Sequence, residues 1–145
     1  MRKVISMALT LLLCLSLLSI TAFAAGESAS LTGPGTVRAG DTITLTLNLK
    51  GNGIFGASGT LSYDSSQLTL LSVSQSIGGG WVVEFNGNNF AAYDNNLTSP
   101  INGSATLFTA TFRVNDVAAG TGISVSCQNV KATDGNAAAN LGTVS

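Results

Sequence analysis

Apolar and polar residues alternate along most of this chain. In the segment 41–50, DTITLTLNLK, the apolar residues Ile43, Leu45, Leu47 and Leu49 alternate with threonine and asparagine. Successive side chains of an extended strand point to opposite faces. A period of two therefore predicts a β-strand with one face in a core and the other in water.

The same alternation recurs in three further parts of the chain. The residues predicted to face inward there are Phe55, Ala57, Gly59, Leu61 and Tyr63; Phe108, Ala110, Phe112 and Val114; and Ile123, Val125 and Cys127. No segment has a convincing helical period, and clusters of Gly, Asn, Asp and Pro separate the strands. The sequence therefore predicts an all-β fold, an antiparallel β-sandwich of about eight or nine strands with jelly-roll or Ig-like topology. The residues expected to be buried in its core are Leu45, Leu47, Leu61, Phe108, Phe112 and Val125.

Residues 80–96 have the pattern of a β-hairpin, because the run from Asn86 to Asn89 can adopt the positive φ angles of a tight turn. The residues predicted to face inward are Trp81, Val83, Phe85, Phe90 and Ala92, which leaves Glu84 and Tyr93 outside. Gly59 stands among bulky inward positions. We therefore expect a large side chain, with Trp81 as the candidate, to occupy the space beside it.

The N-terminus has the pattern of a secretory signal peptide. Arg2 and Lys3 precede the apolar stretch 4–23, and Ala22-Phe23-Ala24 is a small-x-small cleavage site. A transmembrane anchor is the alternative, since the run approaches the roughly 20 residues that span a bilayer, but the small residues favour cleavage. The prediction is a signal peptide over 1–24 and one secreted domain over 25–145, extracellular or at the cell surface, with no membrane span after cleavage.

Charge and cysteine content narrow the range of partners. Residues 25–145 contain four Lys and Arg against seven Asp and Glu, a net charge of −3. This balance argues against nucleic acid, because phosphate binding needs a clustered positive surface. Cys127 is the only cysteine in this range, so an internal disulfide is excluded there and the fold has to rest on packing.

Residues suited to catalysis are scarce. The chain contains no histidine, which excludes a Ser-His triad and a histidine metal site. Glu84 and Asp94 are the only carboxylates that the hairpin could bring together as a glycosidase pair, and two solvated surface acids are the simpler interpretation. The run 134–136, Asp-Gly-Asn, lacks the alternating oxygens and terminal Glu of an EF-hand, which favours a turn. The sequence therefore predicts a domain that is not an enzyme and carries no metal or other cofactor.

Two segments carry a family resemblance. Residues 54–74, IFGASGTLSYDSSQLTLLSVS, contain a strand that ends in Leu-Ser-Tyr-Asp, a short turn and then Leu-Thr-Leu-Leu-Ser-Val. Residues 106–136 contain two strands joined by a linker of the Ala-Ala-Gly-Thr kind, with an Asn-Val-x-Ala-x-Asp-Gly ending. In this order the segments resemble the cohesin domain, the module that captures dockerin-bearing enzymes in cellulosomes. The resemblance spans most of residues 25–145.

The resemblance implies a partner and a contact face. The partner would be a dockerin-bearing protein of an extracellular polysaccharide-degrading complex, with the calcium carried by the partner because dockerins resemble paired EF-hands. The contact face would be built from the outward residues of the strand with Ser58 and Thr60 and of the hairpin with Glu84 and Tyr93.

Two features depart from the family pattern. Gly56 and Ser58 stand where cohesins often carry Asn or Asp residues that contact dockerin. The sequence also stops at 141–145, LGTVS, where a cohesin normally has residues left for its last strand. The expectation is either a fragment or a sandwich that closes with a shortened edge.

Two other functions fit a secreted sandwich, a carbohydrate-binding module and a structural Ig-like spacer. Sugar binding would need exposed aromatic rings. Because Trp81 and Tyr63 alternate with the core residues, Tyr93 is the only plausible exposed platform for a polysaccharide. This scarcity favours a protein partner, and the spacer has no positive signature in the sequence.

Overall fold

The alternating segments form nine β-strands in residues 26–145, the part of the chain that the computed structural model describes. The strands are β1 (Ser28–Thr32), β2 (Thr42–Ile54), β3 (Gly56–Tyr63), β4 (Leu68–Gln75), β5 (Trp81–Asn86), β6 (Asn89–Asp94), β7 (Ile101–Val114), β8 (Val125–Thr133) and β9 (Ala138–Val144). Within the described range no helix is long and apolar enough to cross a membrane. The predicted signal peptide, residues 1–24, lies outside the described residues.

The strands form two antiparallel sheets. One sheet has four strands in the order β1-β2-β7-β4, and the other has five in the order β5-β6-β3-β8-β9. The chain passes from one sheet to the other between β2 and β3, between β3 and β4 and between β4 and β5, and again at both ends of β7. The predicted antiparallel β-sandwich is confirmed, and the strand number falls within the expected range.

The core lies between the two sheets and is built from the inward residues of the alternating pattern. Leu47, Leu61, Phe108 and Phe112 have no exposed surface, as their positions predict. Phe108 is the centre of an aromatic cluster, since its ring stands nearly perpendicular to that of Phe85, with 5.1 Å between the ring centroids. Buried apolar area of this kind is the main stabilising contribution in a domain without a disulfide.

Leu45 and Val125 were also predicted to be buried, but they are only partly buried and pack against the core at its margin. Both side chains are half-buried, because they line a groove of about 690 Å³ at one end of the sandwich. The groove lies between the loop 33–37 and residues 120–125. It opens here because the partner strand β1 ends at Thr32, opposite Thr46, and leaves the first residues of β2 at the sheet edge.

The predicted hairpin forms from β5 and β6 and Trp81 points inward as predicted, but the predicted neighbour of Gly59 is wrong. Phe90, and not Trp81, occupies the space beside Gly59. The Trp81 indole is buried further along the sandwich, where its Nε1 donates a hydrogen bond of 2.7 Å to the carbonyl oxygen of Ser99. In the turn from Asn86 to Asn89, only Gly87 has a positive φ, of 61°. The turn thus has glycine at the first of its two central positions, as in a type II′ hairpin.

Candidate binding face

The outer face of the five-stranded sheet brings together the four residues that the sequence analysis selected. Ser58 and Glu84 are both register partners of Ala91, from opposite sides of β6. Side chains directly opposite each other in neighbouring strands project from the same face of a sheet. Ser58 and Glu84 therefore lie in one row across β5, β6 and β3, with only the methyl group of Ala91 between them.

A second row contains Thr60. This residue pairs with Asn89, which in turn pairs with Asn86 at the start of the hairpin turn. The Thr60 hydroxyl donates a hydrogen bond of 2.7 Å to Asn89 Oδ1. This contact restrains both side chains, which reduces the conformational entropy that a partner would have to remove on binding.

Tyr93 belongs to a third row, between Val82 on β5 and Gly56 on β3. It is half-buried, so it is less exposed than the alternating pattern predicts. Partial burial, followed by the hydrogen bond and the negative charge of Glu84, raises the pKa of Tyr93. Its hydroxyl therefore stays neutral at ordinary pH and can donate a hydrogen bond.

Lys131 is a residue of this face that the sequence analysis missed. It pairs with Ser58 on β3 and with Asn140 on β9, and it is exposed. It extends the row of Glu84, Ala91 and Ser58 by one strand. The row thus carries an acid at one end and a base at the other, about 14 Å apart for three strand spacings of about 4.8 Å.

Glu84 and Asp94 do not form a catalytic pair. Glu84 is exposed on the outer face, whereas Asp94 is buried and has the inward parity of Phe90 and Ala92. The Asp94 carboxylate accepts hydrogen bonds from the backbone amides of Asn96 and Ser99. The interpretation of both residues as solvated acids is therefore wrong for Asp94, which holds the loop that follows β6.

The pKa of Asp94 reflects two opposing effects. Burial alone would raise it, but hydrogen bonds from the backbone amides of the loop, led by Ser99 and Asn96, outweigh burial and lower the pKa. The carboxylate is consequently ionised at neutral pH and is already occupied by these donors. This is the arrangement of a structural loop anchor, and it leaves Asp94 poorly suited to donate or accept a proton in catalysis.

The run 134–136 forms a turn, as predicted. Asp134 Oδ1 accepts hydrogen bonds of 2.8 Å from the backbone amides of both Asn136 and Ala137. These bonds lower the pKa of Asp134. Within residues 26–145, no group of three or more acidic or cysteine side chains is placed to hold a metal ion.

The large groove lies apart from this face. Its lining includes Leu31, Val37, Leu45, Ile123 and Val125, and none of the four predicted contact residues. The face itself is an open sheet surface whose outward side chains are mainly polar. Such a surface fits a large, extended partner better than a small molecule, since small ligands need a concave site that buries most of their area.

Comparison with solved structures identifies several cohesin modules of similar fold. The cohesin module of a family 33 glycoside hydrolase from Clostridium perfringens superposes with a TM-score of 0.67 at 12% identity, covering 81% of this chain and 90% of that one. CaCohA2 from Clostridium acetobutylicum gives 0.62 at 17% identity, with coverages of 85% and 93%. The cohesin of a type I cohesin–dockerin complex from Clostridium thermocellum gives 0.58 at 17% identity, with coverages of 81% and 92%.

The sequence itself also supports a family assignment. No curated protein matches the chain. The family model of the cohesin domain matches residues 28–145, from the first residue of β1 to the last residue of the sequence. The match includes every strand of the sandwich and both segments that carry the resemblance, and it shows that the chain belongs to the cohesin family.

Proposed function

We propose that this chain is a non-catalytic module that captures a dockerin-bearing protein on the outer face of its five-stranded sheet. The observation that carries the proposal is the row of Glu84, Ala91, Ser58 and Lys131, which runs across four neighbouring strands. Small central side chains between two opposite charges make a flat strip that a helix can approach closely. A helix lying along the row could place a basic group near Glu84 and an acidic group near Lys131.

The aromatic residues favour a protein partner over a polysaccharide. Trp81 is buried, and the Tyr63 ring packs edge-on against Phe112 with 4.9 Å between the centroids. Tyr93 is half-buried. A sugar-binding face usually offers several rings for stacking, whereas a protein interface can depend on a single partly buried tyrosine as an anchor.

The scarcity of catalytic groups supports a binding role. Asp94 is occupied by loop amides and Asp134 by the amides of its own turn. The calcium in such a complex would be carried by the dockerin, whose loops resemble EF-hands. We further propose that the module is secreted and acts in an extracellular complex that degrades polysaccharides.

The test is affinity capture from the culture supernatant of the source organism, followed by mass spectrometry. The immobilised domain should retain proteins in the presence of calcium, and a chelator should release them, because removing calcium unfolds EF-hand-like loops. Each released protein should contain a dockerin sequence. Retention that is insensitive to the chelator, or binding of the domain to cellulose or xylan with no dockerin captured, would contradict the proposal.

A further inference from the structure

The chain contains three Asn-Gly steps, Asn52-Gly53, Asn86-Gly87 and Asn102-Gly103. In such a step the backbone nitrogen of the glycine can attack the side-chain carbonyl carbon of the asparagine. Glycine permits this because it has no Cβ to hinder the approach and because its backbone is flexible. The reaction needs a glycine nitrogen and an asparagine side chain that are both free to move.

A single hydrogen bond restrains two of the three steps. The backbone amide of Gly53 donates a bond of 2.9 Å to Asn102 Oδ1. This hydrogen bond therefore restrains the Gly53 nitrogen, which would attack Asn52, and also the Asn102 carboxamide, which the Gly103 nitrogen would attack. Asn52 and Asn102 are also register partners within the long pairing of β2 with β7. Neither step can reach the reactive geometry without breaking this hydrogen bond and disturbing the strand pairing around it.

The Asn86 step is placed differently. Asn86 is the last residue of the edge strand β5, and Gly87 is the first central residue of the hairpin turn. Both residues are exposed. Among the hydrogen bonds of residues 26–145, none involves the Asn86 side chain or the Gly87 amide. The carbonyl oxygen of Asn88, the residue after Gly87, accepts a hydrogen bond from the backbone amide of Leu61. The Asn86 backbone is paired with Asn89. The two reacting groups, the Asn86 side chain and the Gly87 amide, are nevertheless not restrained by a hydrogen bond within residues 26–145.

We infer that Asn86-Gly87 is a site of spontaneous, irreversible modification in the folded protein. The Gly87 nitrogen forms a bond to Asn86 Cγ, and the side-chain amide leaves as ammonia, taking up the proton that the Gly87 nitrogen loses. Water then opens the resulting succinimide at either carbonyl, which produces aspartate or isoaspartate. The product carries one more negative charge than the asparagine it replaces.

The location gives this modification a consequence. Asn86 lies two residues after Glu84 on the same strand, and alternation places both side chains on the outer face. Among the described residues, the three rows of the outer face contain one acid, Glu84, and one base, Lys131. The new carboxylate would make the hairpin end of the face more acidic, and isoaspartate would also add a backbone atom at the turn.

The experiment measures deamidation of the purified protein by peptide mapping with mass spectrometry during incubation in mildly alkaline buffer. The deamidation rate at each site is measured in the folded protein and in the chain unfolded by urea. The ratio of the unfolded to the folded rate is the protection of that site, and the effect of neighbouring residues in the sequence cancels in this ratio. The protection at Asn52 and Asn102 should exceed that at Asn86 by about tenfold or more, because opening the ladder breaks backbone hydrogen bonds. Asn86→Gln should abolish the change at position 86, and Asn86→Asp provides the product standard.

A second variant tests the restraint itself. Asn102→Ala removes the acceptor for the Gly53 amide and should speed the reaction at Asn52 while leaving that at Asn86 unchanged. Equal protection at the three sites in the wild-type chain, or greater protection at Asn86 than at the other two, would overturn the inference. These outcomes do not depend on whether a dockerin binds.

Discussion

The ring of Phe90 fills the space in which residue 59 would carry a side chain. A Cβ atom added to Gly59 would lie 2.8 Å from Phe90 Cε1 and 3.1 Å from the carbonyl oxygen of Gln128. Gly59 and Phe90 are direct register partners on β3 and β6. The glycine therefore leaves space for the Phe90 ring, and this contact couples the central strand to the hairpin that carries Glu84 and Tyr93.

This coupling predicts the effect of enlarging residue 59. Gly59→Ala should lower the free energy of unfolding by roughly 1 to 3 kcal/mol, because the ring and the Gln128 carbonyl cannot both move away. Chemical denaturation measures the change. In the double variant with Phe90→Leu, the smaller side chain should make the added methyl group less costly, as a double-mutant cycle would reveal. A cost of Gly59→Ala that is the same in both backgrounds would contradict the contact.

Phe112 is the centre of the second prediction. Its side chain has no exposed surface, and it makes an edge-on contact with Tyr63. Phe112→Ala should cost roughly 3 to 5 kcal/mol of stability, because it removes buried apolar contacts and leaves a cavity. Leu45→Ala is the matched control, since Leu45 has the same inward parity but is half-buried in the groove, and it should cost clearly less. An unchanged thermal melt for Phe112→Ala would refute the assignment of inward and outward faces.

The Asp94 carboxylate should make the free energy of unfolding depend on pH in the acidic range. Its pKa is lower in the folded state than the ordinary value of 3.8, so the group contributes stability above that value and loses the contribution as the pH falls through the folded pKa. Asp94→Asn should therefore destabilise the protein at neutral pH and have a smaller effect in strong acid. Urea denaturation near neutral pH and at about pH 2 measures this difference.

A matched variant separates Asp94 from general acid effects. Asp116 is exposed in the loop after β7, and its side chain accepts none of the hydrogen bonds found in residues 26–145. Asp116→Asn should leave stability nearly unchanged at both pH values, as most exposed substitutions do. If Asp94→Asn behaved in the same way, the loop anchor would have no energetic role.

Alternation of apolar residues predicted the strands and most of the core because one face of each sheet is buried and the other is solvated. It failed where neighbouring strands decide burial. Leu45 and Leu47 are equivalent in the sequence pattern, yet Leu47 is buried and Leu45 is not. The difference arises from the end of β1 at Thr32, opposite Thr46, which no local pattern along β2 encodes.

Lys131 was missed for a different reason. Continuing a strict period of two from buried Cys127 would place Asn129 and Lys131 in the core. In the structure, Asn129 has a positive φ of 51°, and the register with β3 shifts between Ser58 and Thr60. A β-bulge of this kind adds one residue to a strand and exchanges the two faces beyond it. Val130 and Ala132 consequently point inward, and Lys131 joins the outer face.

The last prediction concerns Tyr93 and depends on the proposed function. If the outer face of the five-stranded sheet binds dockerin, Tyr93 is its aromatic anchor, half-buried between Val82 and Gly56. Tyr93→Ala should weaken binding by about 1 to 2 kcal/mol, because a partly buried ring at the centre of an interface contributes strongly to affinity. Calorimetric titration with a dockerin recovered by affinity capture measures the change. Tyr93→Phe should retain most of the affinity, and Thr44→Ala, on the exposed face of the opposite sheet, should not alter it. Equal affinities for Tyr93→Ala and the unmodified domain would show that the partner binds a different surface.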